Sequence, residues 1–340
     1  MLRVMLAWSQ PGSSFQTAAS WAKSSGIAQI TAEALFYRVR QSESFLEAVM
    51  GKMLAAWREI PCGRRLMIVD ATVLTGPGSK GSDWRVHMLY DPRRAVPCGV
   101  KISDHKQGET LALHDLRGGD LVLGDRGYGH FRGFVSALAK GADVLVRVEA
   151  NQMKVYDLGG ERIYLEILAG QVPKAGSLDF ELVWHGPGQD CRRVRIIGTR
   201  TAKGDVCWLA TNLSADDLSN TAAAELYRVR WQIELLFKRM KSLLEMDDLR
   251  SREGPTAKAF ILSKLITAFL ALRLSDKSEA FSPYGYEIRN VPPRAEPLAG
   301  VQVRTRRHGR RDPRHRKMDT ASQVPITAGR AQTKTQESIR

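Results

Sequence analysis

Two aspartates stand at the ends of apolar runs that are typical of buried β-strands. Asp70 follows the run from Leu66 to Val69, and Asp125 follows LVLG. A buried carboxylate is costly unless it is paired, hydrogen-bonded or bound to a metal, and strand ends are where a mixed sheet presents functional groups. Each aspartate alone also has an ordinary explanation, because Asp70 can pair with an arginine and Asp125 can cap a turn. Both are therefore candidates for metal-dependent chemistry.

A third acidic candidate, Glu234, lies in a segment with the apolar period of a helix. At about 100° per residue, one arc of roughly 60° carries Tyr227, Arg230, Glu234 and Lys241. A separate face carries the apolar residues Leu226, Val229, Ile233, Leu236, Phe237, Met240, Leu243 and Leu244. The ordinary alternative is that Arg230 and Glu234 form an i,i+4 surface pair. The pattern predicts one long helix over residues 221–244, with one face for packing and another for polar contacts.

The spacing Y-(2)-R-(3)-E-(6)-K in this helix resembles the signature of transposases of the insertion-sequence-four family of bacterial insertion sequences. IVDAT around Asp70, Gly-Glu-Thr at 108–110 and LVLGDRGY around Asp125 follow in the family's order. The resemblance covers residues 15–285. It implies a DDE transposase, which cuts DNA at transposon ends and then joins the freed 3′-OH to a target phosphodiester.

The resemblance also implies a metal site. Asp70, Asp125 and Glu234 are then the catalytic carboxylates that bind two divalent ions, Mg²⁺ or, as a substitute, Mn²⁺. Carboxylates are the hard oxygen ligands that Mg²⁺ prefers, and a pair of ions can activate the attacking oxygen and stabilise the leaving one. Glu245 falls on the same helix arc and is the alternative third carboxylate.

Double-stranded DNA is the partner that the resemblance implies, both as the inverted repeats and as the target. The residues expected to contact it are Tyr227, Arg230, Lys241 and Arg126, the last directly after Asp125. The cations would neutralise phosphates near the cut, and the tyrosine would hydrogen-bond or stack. Because two transposon ends must be held together, a homodimer on DNA is expected.

The elements that position these residues predict a mixed α/β fold. Three strand-like runs from Arg64 onward are followed by alternating helices and strands, which is the order of a ribonuclease-H-like fold. The first part of this core is expected over residues 61–149 and the remainder, with the Glu234 helix, over 206–285. Residues 150–205 contain short β-like pieces between turns and predict a β-rich insertion.

Both ends of the chain are predicted to lie outside this core. Residues 1–60 suggest a small helical head, in which Thr31 can cap a helix and the helix-turn-helix-like spacing is compatible with DNA binding. Short helices joined by a Gly turn are nevertheless common. Residues 286–340 read as a basic, disordered tail, either an addition to DNA affinity or the product of a shifted reading frame.

Composition agrees with a polyanionic partner. The formal net charge is +15, and residues 301–340 hold 11 Lys and Arg against 3 Asp and Glu. Nucleic acid is the first candidate partner for this charge, and an anionic membrane surface the second. No run of about 18 apolar residues occurs, and the first apolar run is too short for a signal peptide. The four cysteines form no Cys-x-x-Cys pair, so we expect a cytoplasmic protein without a zinc site or disulfides.

One motif suggests different chemistry. GPGSKG at 76–81 matches the glycine pattern of a dinucleotide-binding loop, but a strand-like run follows it where that motif needs a helix, so we predict a hairpin turn. Two further functions compete with an active transposase. They are a catalytically inactive DNA-binding remnant and a ribonuclease-H-like nuclease without strand transfer.

Overall fold

The computed structural model describes residues 1–55, 64–201 and 203–274 in full, together with the backbone of 56–58, 286–288 and 303–305. In that part of the chain, no helix has both the length and the apolar character needed to cross a membrane. Two short strands, β11 (Tyr286–Ile288) and β12 (Val303–Thr305), pair with each other. The rest of the predicted tail lies outside the described residues.

Residues 1–58 form four helices. They are α1 (Leu2–Trp8), α2 (Phe15–Ser24), α3 (Ala32–Arg40) and α4 (Glu43–Arg58). The Thr31 side chain caps α3 by accepting a hydrogen bond from the Ala34 N–H, as its residue type predicts. Helix α1 has no side-chain cap, and the sequence pattern did not predict it. It is held instead by burial of Trp8, which stacks on Phe15 and meets the ring of Phe260 edge-on.

A mixed β-sheet forms the middle of the molecule. Its first strands are β1 (Arg65–Leu74), β2 (Trp84–Asp91), β3 (Val96–Asp104), β4 (Asp120–Gly124) and β5 (Asp143–Val148), and the connection between β4 and β5 contains α5 (Phe131–Ala139). Strands β1, β2 and β3 are antiparallel neighbours, whereas β4 runs parallel to β1 and β5 parallel to β4. The order across the sheet is β3-β2-β1-β4-β5. The predicted mixed α/β architecture is confirmed.

The segment after β5 continues the same sheet. Its elements are β6 (Val155–Tyr156), β7 (Arg162–Ile163), α6 (Leu165–Leu168), β8 (Ser177–His185), β9 (Cys191–Arg200) and β10 (Val206–Thr211). Strand β10 pairs with β5, and the order continues as β10-β9-β8-β6-β7. Within the β-rich segment predicted over 150–205, residues 165–168 form the short helix α6 rather than a strand, and Leu165 is buried against the sheet.

Three helices close the described core: α7 (Asn220–Val229), α8 (Trp231–Leu244) and α9 (Gly254–Leu274). The single helix predicted over 221–244 is wrong, since the chain makes a tighter turn at Arg230 between α7 and α8. Leu243, expected on the packing face, is 71% exposed. Helix α9 is buried on most sides and packs against α1, α3, α4 and α8.

The two faces of the sheet bury separate sets of apolar side chains. Along β1, Leu66 and Ile68 face the cluster that contains α7, α8, α9 and the N-terminal helices. Met67 and Val69 face the other cluster, which contains α5 and the segment after β5. This alternation is the period-2 pattern of a strand buried on both faces, and it decides which way Asp70 and Asp125 point. Asp125 directly follows β4, as expected, but the strand-end position expected for Asp70 is wrong, because β1 continues to Leu74 and pairs with β2 over that stretch.

Candidate active site

The parallel pairing of β1 with β4 brings the two predicted aspartates together. Val69 lies opposite Gly124 in the register, so the next residues along the two strands are Asp70 and Asp125. Ile68 and Leu123, two positions earlier, both belong to the cluster packed against α8. Because side chains alternate along a strand, both aspartates project toward the face that α8 covers.

Arg230 connects this pair to Glu234. Its guanidinium lies 3.9 Å from Asp70 Oδ2 and 2.5 Å from Glu234 Oε1. The arginine side chain is only 15% exposed, whereas that of Glu234 is 49% exposed. The i,i+4 pair that the sequence allowed does form, but it is not an isolated surface pair, because the same arginine also reaches the carboxylate on β1.

Burial and charge act together on Asp70. Its Oδ1 atom accepts a hydrogen bond of 2.8 Å from the Ala71 N–H. The pKa of Asp70 is raised to about 7, chiefly by burial and also by the negative charges of Asp125 and Glu234, against the lowering effects of the Ala71 N–H and of Arg230. The site therefore concentrates negative charge where a divalent cation would relieve it.

Asp125 also does what its ordinary alternative predicted. Its Oδ1 atom accepts a hydrogen bond of 2.9 Å from the Gly127 N–H and so caps the 3₁₀ turn Arg126–Tyr128. The cap fixes the carboxylate at the end of β4. Within the turn, Arg126 is 53% exposed and pairs with Glu149 at 2.6 Å. Asp125 therefore both caps this turn and lies next to Asp70.

The remaining residues of the helix signature surround Arg230 or lie farther along α8. The Tyr227 ring centroid is 5.6 Å from the Arg230 guanidinium carbon. Burial raises the pKa of Tyr227 to about 12, so its hydroxyl stays protonated. Lys241 Nζ donates a hydrogen bond of 3.1 Å to the carbonyl of Val73, three residues beyond Asp70 on β1. The structure therefore brings Tyr227 and Arg230 to the carboxylates and seats Lys241 on the same strand.

The alternative third carboxylate, Glu245, lies at the opposite end of α8. It is the C-cap residue of that helix and has a left-handed backbone, φ 49°. Eleven residues of helix separate it from Glu234, which corresponds to about 16 Å along the axis. Of the two candidates, Glu234 is the one that contacts the same side chain as Asp70, the guanidinium of Arg230.

Glu109 is an acidic neighbour that the sequence reasoning did not single out. It lies in the Gly-Glu-Thr segment, and its carboxylate is 3.8 Å from Arg85 on β2. Burial raises its pKa, and the charge of Asp125 raises it further. The Gly-Glu-Thr run at 108–110, which belongs to the family resemblance, was the signal, but nothing local indicated that its glutamate turns toward Asp125.

The donor set fits a hard divalent cation in its chemistry. Asp70, Asp125 and Glu234 are carboxylates, which supply the hard oxygen ligands and the charge that Mg²⁺ requires. As the described side chains stand, however, no three acidic, His or Cys residues come close enough to share one ion. The reason is visible at Arg230, whose guanidinium lies between Asp70 and Glu234.

The comparison with protein families agrees with this site. The model of the family described as the transposase DDE domain matches residues 61–270, which span β1, β4 and α8. The chain belongs to this family, whose members use divalent metal ions. It is a transposase, an enzyme that acts on DNA, and the prediction drawn from the helix signature is confirmed.

Relatives from insertion sequences match most of the chain. The transposase for insertion sequence element IS421 of Escherichia coli is 29% identical over 321 residues, 83% of this chain and 86% of its own length. InsL of insertion sequence element IS186A of Escherichia coli (strain K12) is 29% identical over 320 residues, with the same coverage. A structure of the piggyBac transposase synaptic complex with hairpin DNA is 11% identical, with a TM-score of 0.41, and covers 65% of this chain and 51% of its own.

Proposed function

We propose that Asp70, Asp125 and Glu234 are the catalytic carboxylates of the transposase and hold two Mg²⁺ ions, for which Mn²⁺ can substitute. The observation that carries the proposal is the register of β1 against β4, because it directs Asp70 and Asp125 toward the helix that bears Glu234. The reaction is hydrolysis of a phosphodiester at the transposon end, followed by attack of the freed 3′-OH on target DNA.

The protein's own contribution is to gather and orient charged groups around the phosphate. When bound, a pair of such ions activates the attacking oxygen and stabilises the leaving oxygen of an in-line displacement. With a pKa raised to about 7, Asp70 is only partly ionised at neutral pH, and a cation that binds it would displace the remaining proton. The Gly127 N–H keeps the Asp125 carboxylate oriented throughout.

DNA completes the site through Arg230. A phosphate is a stronger bidentate partner for a guanidinium than an exposed carboxylate is, so the bound strand draws Arg230 away from Glu234. The Tyr227 ring packs against the Arg230 guanidinium. Lys241 donates one N–H to the carbonyl of Val73 and has further N–H donors for phosphate. Arg126, half exposed beside Asp125, contacts the backbone on the other side of the cut.

The strand order supports a ribonuclease-H-like core. An antiparallel β1-β2-β3 meander followed by two strands parallel to β1, in the order β3-β2-β1-β4-β5, is the arrangement expected of that fold. We propose residues 61–149 and 206–285 as the core and 150–205 as its insertion, with residues 1–60 as the DNA-binding head and 286–340 as a basic tail. The enzyme would work as a homodimer on two transposon ends, in the cytoplasm at the nucleoid.

The test is nicking of a duplex that carries the element's own end. Glu234→Gln removes a charge without changing size, and it should abolish Mg²⁺-dependent nicking while DNA binding is retained. Glu245→Gln, at the far end of the same helix, is the matched control and should nick normally. If Glu245→Gln loses nicking and Glu234→Gln keeps it, the third carboxylate is assigned wrongly.

Strand transfer needs an assay of its own. An oligonucleotide with a pre-cut 3′-OH end, incubated with supercoiled plasmid and Mg²⁺, bypasses the first cut. The wild-type protein should join this end to the plasmid, and Glu234→Gln should not. Nicking without joining would indicate a nuclease, and neither activity in a protein that binds DNA would indicate an inactive remnant.

A further inference from the structure

The backbone of Glu109 is fastened to the helix that follows Asp125. His130 Nε2 donates a hydrogen bond of 2.9 Å to the carbonyl of Glu109, while His130 Nδ1 accepts one of 3.2 Å from the Gly133 N–H at the start of α5. Since Nδ1 accepts, Nε2 is the nitrogen that carries the proton. The loop that bears Glu109 is therefore held to the segment that begins with Asp125.

The Glu109 carboxylate lies against Gly127. A Cβ atom built on Gly127 would be 1.9 Å from Glu109 Oε2 and 3.3 Å from Asp125 Oδ1. The two carboxylates therefore flank the same Cα atom, and the space that a side chain would fill is taken by Glu109. Asp125 is fixed by the N–H of that glycine, so both acids are oriented by one residue.

A buried hydroxyl points to what these carboxylates hold. Tyr128 is completely buried, and its hydroxyl has no hydrogen-bond partner within the described structure. Its pKa is raised by burial and then by the charges of Glu109, Asp70 and Asp125, in that order. The residue is closely packed, since a Cβ atom built on Gly124 would lie 2.9 Å from Tyr128 Cβ, and the ring centroids of His114 and Tyr128 are 5.8 Å apart. A buried donor needs an acceptor, and a water bound to a cation between these acids would be one.

We propose that Glu109 is a fourth metal-binding carboxylate, which holds a divalent cation together with Asp125, and that the Tyr128 hydroxyl donates to a water bound to that cation. The inference rests on the proposed function, since it adds a ligand to the same site. The competing role is structural, in which Glu109 serves only as the ion-pair partner of Arg85.

The test measures metal binding rather than turnover. Binding of Mn²⁺ to the full-length protein on a duplex of the element's terminal sequence is followed by electron paramagnetic resonance. Glu109→Gln should weaken the binding of one of the two Mn²⁺ ions by about 10- to 100-fold, the usual effect of removing a supporting ligand. Glu149→Gln removes an equal charge from the Arg126 side of Asp125 and should bind both ions as the wild type does.

Two more variants separate metal binding from structure. Gly127→Ala changes no titratable group but displaces the Glu109 carboxylate. It should therefore weaken the binding of the same Mn²⁺ ion. Arg85→Met removes the ion-pair partner and should leave both ions bound. Unchanged Mn²⁺ binding in Glu109→Gln, with normal folding by circular dichroism, overturns the inference. Asp125→Asn distinguishes failure of the Glu109 inference alone from failure of the proposed function, because this variant must lose Mn²⁺ binding if the proposed function is right.

Discussion

Lys241 Nζ hydrogen-bonds the backbone carbonyl of Val73 at 3.1 Å, although 168 residues separate them in the chain. Val73 lies on β1 beyond Asp70, and Lys241 lies two turns beyond Glu234 on α8. The bond therefore joins the strand that carries one proposed catalytic carboxylate to the helix that carries another. A lysine expected only to contact DNA also aligns the two elements of the site.

This contact predicts a measurable loss of stability. Lys241→Met keeps the aliphatic length but removes the donor, and it should lower the free energy of unfolding by about 1 kcal/mol, as typical for one such hydrogen bond. Urea unfolding without DNA is the measurement. Lys238→Met, an exposed lysine on the same helix, is the control and should stay within about 0.5 kcal/mol of the wild type. Equal stabilities of the two variants would contradict the anchoring role.

The raised pKa of Asp70 predicts a pH-dependent gain of stability in a variant that cannot ionise. The folded pKa of about 7 lies above the ordinary 3.8, so stability is fully present below pH 3.8 and is lost as pH rises toward 7. Asp70→Asn escapes this loss. In urea unfolding at pH 8 in EDTA, the free energy of unfolding of Asp70→Asn should therefore exceed that of the wild type by a few kcal/mol, at about 1.4 kcal/mol per pKa unit.

Two comparisons check this prediction. At pH 5 the difference between Asp70→Asn and the wild type should shrink, because the wild-type carboxyl is then largely protonated. Mg²⁺ at pH 8 should stabilise the wild type more than the variant, since only the wild type regains a cation partner for this carboxylate. A wild type that is more stable than Asp70→Asn at pH 8 in EDTA would refute the burial effect.

Arg195 predicts a large structural effect away from the carboxylates. This buried arginine on β9 makes bonds of 2.9 Å to both oxygens of Asp179, and it also bonds the carbonyls of Ser214 and Leu218 and the side chain of Asn220. It thereby ties the sheet to the loop before α7, and α7 leads into Arg230. Arg195→Met removes the donor for all of these acceptors, and it should lower the free energy of unfolding by about 3–5 kcal/mol.

The neighbouring Arg193 provides the matched control. It lies two residues earlier on the same strand but is exposed. Arg193→Met should change the free energy of unfolding by less than about 0.5 kcal/mol, measured by urea unfolding alongside Arg195→Met. Similar small effects in both variants would mean that the Arg195 network does not hold the loop. A loss confined to Arg195→Met would agree with the bonds described.

The sequence by itself determined the elements whose signals are local. Apolar runs with turn residues on each side predicted β1, β4 and the position of Asp125 directly after β4, and the Thr31 cap predicted the start of α3. The run before Asp70 did not reveal that β1 continues past this aspartate to Leu74. The hairpin reading of residues 76–81 also agrees with the structure, because β1 and β2 are antiparallel neighbours. These features depend on strand alternation, turn chemistry and capping within a few residues, which a single sequence contains.

Only the tertiary structure decided which of these residues meet. The short helix α1 exists because Trp8 is buried against α9, and the helix pattern over 221–244 is interrupted at Arg230, where that side chain reaches Asp70. The approach of Glu109 to Asp125 likewise depends on the absence of a side chain at Gly127. Such contacts join residues far apart in the chain, and their free energy comes from packing and charge in the assembled fold, which no local pattern encodes.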